Sequence, residues 1–483
     1  MLTNKKSVIV IGKHLMAGEL LRQYKALGDI VQQRDLATDD IDCNSYSEIC
    51  LLSGDDDYQV VTQLGRWAER YDVEAHGGSK LLCHLLLQSP QALQMFHTTD
   101  FCDAVKQKID VYPFTMEENW SRSITLDYEP ITIHSDKHVH LVIFGMGEVA
   151  ETMALQAAHI AHYPNYVRNH SLRTRITMIS ENAEALSEGF IKRYRHLFDN
   201  SYYRVVNLSE EKAVKVFHRP MYEGKREDFV DVEWEFVDAE SWNPDVREKL
   251  RQWAQDDKQL LTLVMADRDE NKNVAMSLFL PDELYHRSIP IHKYSPKDVE
   301  YDVTMPLVRM AKNVNYIYDR CYNDNFVNWQ GIILSSVEIN PVDRDRSWDK
   351  LSNVKRLSSI YNAMTIPSKM RSIGLCEDDW DKFYDISQQD IEILAQVEHN
   401  RWNVEELILG FRPCTDEEQD KIAADIETQK EAFKARKIHY DLRAYNDLRP
   451  DKTGKSAQVY DLCLSSALPL IAKTFVDEKG GKA

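Results

Sequence analysis

The stretch His138–Val139–His140–Leu141–Val142–Ile143–Phe144–Gly145–Met146–Gly147–Glu148–Val149–Ala150 constrains the fold of this chain more than any other. An apolar run of strand length ends in Gly-x-Gly-x-x-Ala, and helical spacing begins at once with Glu148, Val149, Thr152, Met153 and Leu155. A strand, a tight turn and a helix follow, as in a parallel α/β sheet. Gly145 allows the turn, Gly147 lets the backbone approach a pyrophosphate, and Ala150 is small enough for helix and strand to pack closely. Arg175–Ile176–Thr177–Met178–Ile179–Ser180–Glu181 reads as a second strand with an acid at its C-terminal end, the place where dinucleotide folds hold ribose hydroxyls. The candidate cofactor-binding residues here are Gly145, Met146, Gly147, Glu148, Val149, Ala150, Ser180 and Glu181.

A second unit of this kind lies upstream. Ser7–Val8–Ile9–Val10–Ile11–Gly12 has the pattern of a buried strand, Leu15 to Leu27 that of a helix, and Ile30–Asp35 and Glu48–Asp57 supply further strands with acidic ends. Its loop, Gly12–Lys13–His14–Leu15–Met16–Ala17–Gly18, lacks the second glycine, and His14 would crowd a phosphate. It therefore reads as a degenerate structural copy, with nucleotide or anion binding as the alternative. Asp57 to Phe101 reads as helical, with Val60, Leu64, Trp67, Leu81, Leu82, Leu85 and Leu86 apolar, broken at His76–Lys80. Downstream, 184–198 reads as a helix, and 203–208 and 232–237 read as strands. Leu260–Asp267 is the clearest buried strand of that half, and a polar loop opening a helix follows it.

Charge and cysteine usage narrow the partners. There are 78 Asp and Glu against 59 Lys and Arg, a formal charge of −19, which opposes nucleic acid and anionic membranes as general partners. The eight cysteines fall at no zinc spacing, so no metal site is expected, and free thiols in a reducing cytoplasm are the simplest reading. No apolar run is long enough for a membrane span, and the polar N-terminus shows no secretory signal.

From Val303 the character changes to helices joined by polar loops. Within Asp390–Arg412, Ile391, Leu394, Val397, Val404 and Leu407 form the apolar stripe, and Glu398, Trp402 and Glu405 fall at i, i+4 and i+7 beside Arg401. That face either stacks a planar ring on the indole, with the charges reading its polar edge, or packs against a neighbouring helix.

Two resemblances sharpen these expectations. The glycine loop, Glu181 and Ala266–Asn273 resemble the TrkA-N (RCK-type) domain of potassium-transport regulators, and Leu51–Asp57 is similar to the same late strand and acidic loop in the first copy. The resemblance implies a Rossmann sensor of NAD(H) or another adenine nucleotide, commonly paired with a second such domain, and adds Ala266, Asp267 and Asn273 to the candidate cofactor-binding residues. Ala395–Arg412, with Glu398–His399–Asn400–Arg401–Trp402–Asn403–Val404–Glu405 at its core, resembles the RyR domain repeated in ryanodine receptors and also present in bacterial proteins. Trp348–Leu351, Lys355–Ser359 and His439–Leu448 look like its flanking segments. Phe411 and Ser359 depart from the residues common there. This likeness implies a non-enzymatic domain binding a small molecule or nucleotide, with Glu398, Arg401, Trp402, Glu405, Arg412 and Tyr440 as candidate ligand residues.

The expected fold class is α/β followed by all-α, with two Rossmann-like doubly wound parallel sheets, the first degenerate, and a C-terminal helical RyR-like domain. The expected boundaries are 1–105 for the first sheet domain, 106–137 for a connecting segment, 138–300 for the nucleotide-binding domain, 301–344 for a helical connector, 345–475 for the RyR-like domain and 476–483 for a disordered tail. No nucleophile turn, zinc helix or Walker loop is present, so no catalytic residue is assigned. The leading expectation is a cytoplasmic ligand-sensing protein, as a homodimer or with its Rossmann pair in one chain. The alternatives are an NAD(P)-using enzyme with a regulatory RyR-like part, and a regulatory subunit partnering a membrane transporter or phage-defence system.

Overall fold

The structure, a computed structural model, describes residues 5–34, 41–52, 56–99, 102–208, 214–220, 228–323, 325–328, 330–375, 386–450 and 456–472. The expected tail 476–483 and the acids Asp35 and Asp55 lie outside them. Two compact units are present, one drawn from 1–123, 295–306 and 352–355 and the other from 124–294, 307–351 and 356–483.

Among the described residues the first unit is built on five parallel strands, β1 (Ser7–Ile11), β2 (Ile30–Arg34), β3 (Glu48–Leu51), β4 (Leu81–Leu86) and β5 (Ile109–Phe114), in the order β2-β1-β3-β4-β5. This is a doubly wound sheet whose direction of winding reverses between β1 and β3. Leu81–Leu86 corrects the helical reading of that stretch. Its leucines recur at both helical and strand spacing, and burial on both faces, with Cys83 and His84 inside, makes it a central strand. The segment 106–137 is likewise more than a connection, since β5 and the helix Met116–Arg122 belong to this unit. Pro113 is tolerated because β5 is the edge strand. Segments 295–306 and 352–355 also return here, which no boundary drawn from sequence anticipated.

A buried polar cluster sits inside this unit. The Glu48 carboxylate accepts from Tyr24 and from Lys6 Nζ (2.8 Å) and lies 2.8 Å from His84 Nε2, while His84 Nδ1 meets the Tyr301 hydroxyl. Burial opposes the charge on Glu48, but His84 and Lys6 outweigh it and hold the carboxyl down at about 2.

The main sheet of the second unit has, among the described residues, seven strands, β6 (His138–Phe144), β7 (Thr174–Ser180), β8 (Tyr202–Asn207), β9 (Val214–His218), β10 (Val232–Asp238), β11 (Gln259–Met265) and β12 (Ile291–Lys293). Their order is β12-β11-β6-β7-β10-β8-β9, and only β9, which the sequence reading did not anticipate, runs antiparallel. The expected helix 184–198 is two, Ala183–Arg193 and Arg195–Asp199. The helices Pro341–Asp349, Asn353–Ser372, Gln388–Ile408 and Gln458–Ser466 contribute to a core that includes Trp348, Ile366, Leu394, Leu464 and Ile471. The helix Gln388–Ile408 also packs on Glu148–Ile160, Pro164–Arg168 and Arg195–Asp199. The expected division into 138–300 and 345–475 therefore differs from what is found, because sheet and helices form one compact unit. The reason is that twelve of the 21 residues of Gln388–Ile408 are buried, more than one apolar stripe, so it is covered from more than one side.

Candidate functional site

β6 lies between β11 and β7, so the chain leaves β6 in one direction and later returns to its other side. The crevice at the C-terminal ends of β6 and β11 is thus a topological switch point, the usual ligand position in open α/β sheets. The Gly145 N–H donates to the Ile179 carbonyl (2.8 Å) and the Ala266 N–H to the Phe144 carbonyl (3.0 Å), bringing the ends of β7, β6 and β11 together. Gly145 has φ of +121°, a conformation that L residues rarely adopt, and a Cβ there would stand 3.3 Å from the Ala266 carbonyl oxygen and 3.6 Å from Ala150 Cβ. Gly145 and the fully buried Ala150 are therefore required by the fold itself.

Gly147 is different. Its φ of −83° suits any residue, and a Cβ there would meet nothing within 4 Å. It is exposed and precedes the helix Glu148–Ile160, whose N-terminus receives no side-chain cap. Asn243, Asp269 and Ser387 supply that oxygen at the starts of other helices in this unit. An uncapped, open helix start with Met146 and Val149 packed inward presents backbone donors to the crevice.

The remaining candidates divide. Ser180 and exposed Glu181 lie at the end of β7, and Asn182 then turns the chain with φ of +61° into the helix Ala183–Arg193. Asp238, at the end of β10 and missed from sequence, accepts from the Glu184 N–H (2.9 Å). Ala266 and Asp267 flank the crevice, but the Asn273 amide is occupied. It donates to the carbonyls of Asp267 (2.7 Å) and Tyr294 (2.9 Å) and accepts from the Asp267 N–H (2.9 Å), fixing the loop. Arg268, also missed, forms an ion pair with Glu148 (2.6 Å) that joins the helix start to the loop after β11. A contact between residues 120 apart leaves no local sequence signal.

The RyR-like residues are less open than their spacing suggested. Glu398, Arg401 and Glu405 are each at most 3% exposed. Arg401 pairs with Glu398 (2.9 Å) and Glu405 (2.6 Å), Lys369 Nζ donates to Glu398 (2.6 Å), and Ser358 donates to Glu405 (3.0 Å). Burial opposes the Glu398 charge, yet Arg401 and Lys369 hold its carboxyl at about 2, whereas burial prevails at Glu405 and raises it. These charges answer one another inside the protein. Arg412 makes two hydrogen bonds to Glu418 (2.7 and 2.6 Å), the acid of the capping box that begins at Thr415. Tyr440 is buried beneath Arg443, whose guanidinium lies 5.0 Å from its ring.

Trp402 alone of that set joins a half-open aromatic group. Its ring meets His439 edge-on at 4.8 Å, Phe411 is 5.9 Å beyond, and Lys437 Nζ lies 4.3 Å from the Phe411 ring. Burial pushes His439 down to about 3, so it is neutral and presents an uncharged ring.

Among the described residues no group of three or more His, Cys, Asp or Glu is arranged to hold a metal ion, and no helix is long and apolar enough to cross a membrane. No family model matches the chain, and no curated protein matches it. The similar solved structures include one of the subunits of dipicolinate synthase from Bacillus halodurans, 10% identical over 62% of this chain and 94% of that one, with a TM-score of 0.18. NtrX from Brucella abortus is 10% identical over 89% and 97%, with a TM-score of 0.15. Likeness at these scores supports neither fold nor function, which rest on the geometry above.

Proposed function

We propose that the second unit binds an adenine dinucleotide of the NAD(H) type in the crevice between β6 and β11, and that the protein is a ligand sensor of the TrkA-N and RyR kind. Gly147 carries this reading. Neither its backbone angle nor any protein neighbour demands glycine, so its value lies in the space it leaves before an uncapped helix start at a switch point. The pyrophosphate would rest on the N–H groups of the first turn, and Glu181 would take ribose hydroxyls. A second ligand with a planar ring would stack in the Trp402, Phe411 and His439 group, read through its faces, since Glu398, Arg401 and Glu405 are paired with one another.

The route between them is the helix Glu148–Ile160. It starts at the crevice and packs farther along on the helical part, where Gln156 Nε2 lies 3.4 Å from Met364 Sδ and the His159 ring stacks on Tyr361 at 3.9 Å. A ligand preferring one position of this helix would bias the other site. Calorimetric titration of the full chain with NAD+, NADH, ATP and ADP-ribose tests the reading, with labelled NAD+ recovered intact as the mark of a sensor. Binding that Gly147→Asp abolishes is the expected result. No binding, or binding that Gly147→Asp leaves unchanged, sinks the proposal.

A further inference from the structure

Resting on that reading of the crevice, we infer that it selects a dinucleotide, with its single pyrophosphate bridge, over a nucleoside triphosphate, and that Glu148 sets the preference. Glu148 is the first residue of the helix, so its carboxylate shares the turn whose N–H groups face the crevice. It is partly exposed, and Arg268 holds it at 2.6 Å from the opposite loop. The Arg268 cation is therefore already committed to a carboxylate.

The rest of the rim is acidic. Glu181 and Asp238 stand at the ends of β7 and β10, and Asp267 and Asp269 follow β11, with Lys272 3.4 Å from Asp267. Three of these acids have structural work: Asp238 accepts from the Glu184 N–H, Asp267 from the Asp269 N–H and Asp269 from the Asn271 N–H. Such acids cannot readily turn away from a ligand. Six carboxylates, with Glu148 and Glu151 of the helix's first turn included, thus stand with three cations, Arg268, Lys272 and the Arg193 that pairs with Glu151, while the helix N-terminus contributes only about half a positive charge. The pyrophosphate of a dinucleotide brings two negative charges, which the helix start and, in NAD+, the positive nicotinamide ring offset. A metal-free triphosphate brings about four, and the surplus meets the acids at close range.

Titration of the full chain with NAD+ and with ATP, both in EDTA at low salt, tests this on the wild type and on Glu148→Gln. The wild type is expected to bind NAD+ at least about tenfold more tightly. In Glu148→Gln, which removes one negative charge and the ion pair to Arg268, ATP affinity should rise at least about fivefold more than NAD+ affinity. High salt should narrow the wild-type ratio in the same direction. ATP bound as tightly as NAD+ by the wild type, or a ratio that Glu148→Gln leaves unmoved while both nucleotides still bind, overturns the preference but not the crevice reading. Binding of neither nucleotide overturns both. Matched melting curves for the two proteins separate a charge effect from unfolding.

Discussion

Gly145→Ala and Gly147→Ala should behave oppositely, although the two glycines are two residues apart. At Gly145 an alanine must hold φ near +121° and place its Cβ 3.3 Å from the Ala266 carbonyl oxygen. Backbone strain of this kind costs about 1–3 kcal/mol, and the more restricted unfolded chain returns roughly 0.4–1 kcal/mol. The net loss is about 1–2 kcal/mol. At Gly147 the backbone already suits alanine and the added methyl meets nothing within 4 Å. A slightly poorer N-cap and a stiffer unfolded chain nearly cancel, leaving a change within about 0.5 kcal/mol. Urea unfolding followed by circular dichroism resolves this, because at a slope of about 3 kcal/mol per molar the first variant shifts the midpoint by roughly 0.5 M and the second hardly at all. Adding NAD+ at about 100 times its Kd should stabilise the wild type by about 2.7 kcal/mol. The methyl of Gly147→Ala stands where the pyrophosphate would approach, so that variant should lose most of this gain. Equal destabilisation at both positions, or a Gly147→Ala protein that keeps the full ligand stabilisation, would refute the division of labour between them.

Other expectations follow from buried charge. Lys369→Met leaves Glu398 and Glu405 to share Arg401, and breaking such a network should cost about 3 kcal/mol or more, measured by the same urea midpoint. Burial, and then neighbouring Glu405, push Glu406 up to about 8, so between about pH 4.5 and 8 the folded chain holds a proton that the unfolded chain has released. Stability should fall as pH rises through that window, and Glu406→Gln should flatten the fall in melting temperatures recorded across it. Burial, aided by Arg175, pushes His140 down to about 3, so it stays neutral in the fold while the unfolded histidine takes a proton below about 6.5. Its contribution should be intact above pH 6.5 and lost as pH drops toward 3, and His140→Gln should weaken that slope in pH-dependent melts.

The parts of this architecture legible in the sequence were those written in consecutive residues. β6 and β11 are mostly apolar runs, interrupted inside by His140 and Thr262, and the Gly145 to Ala150 loop carries its turn within six residues. β4 was not legible, because Leu81, Leu82, Leu85 and Leu86 match a helix stripe as well as a strand buried on both faces. Helical spacing set Glu398, Trp402 and Glu405 on one face with Arg401 beside them, and one ion-pair network joins Arg401 to the two acids while Trp402 stands outside it. It could not tell that this face turns inward, because that depends on Lys369 and Ser358, brought from another helix. Arg268 and Glu148 meet for the same non-local reason. Spacing within a segment identifies which side chains travel together, and only the packing of segments decides whether water, ligand or protein meets them.

That packing makes one more consequence measurable. If the helical part were a separate domain, a nucleotide at Gly147 would leave hydrogen exchange in Gln388–Ile408 untouched. Instead this helix packs on Glu148–Ile160, the helix that begins at the crevice, and buries Leu394, Val397 and Val404 to 1% exposure or less. Amides in its middle then exchange largely through openings that also disrupt the binding crevice. A ligand held only by the closed form suppresses such openings by the factor 1 + [L]/Kd, so NAD+ at 100 times its Kd should slow exchange there by up to about 100-fold. Amides of β1 and β3 belong to the other unit and should slow far less. Unchanged exchange in Gln388–Ile408 under saturating nucleotide would mean that the two halves of the unit open independently, and the route proposed through Glu148–Ile160 would then have no physical basis.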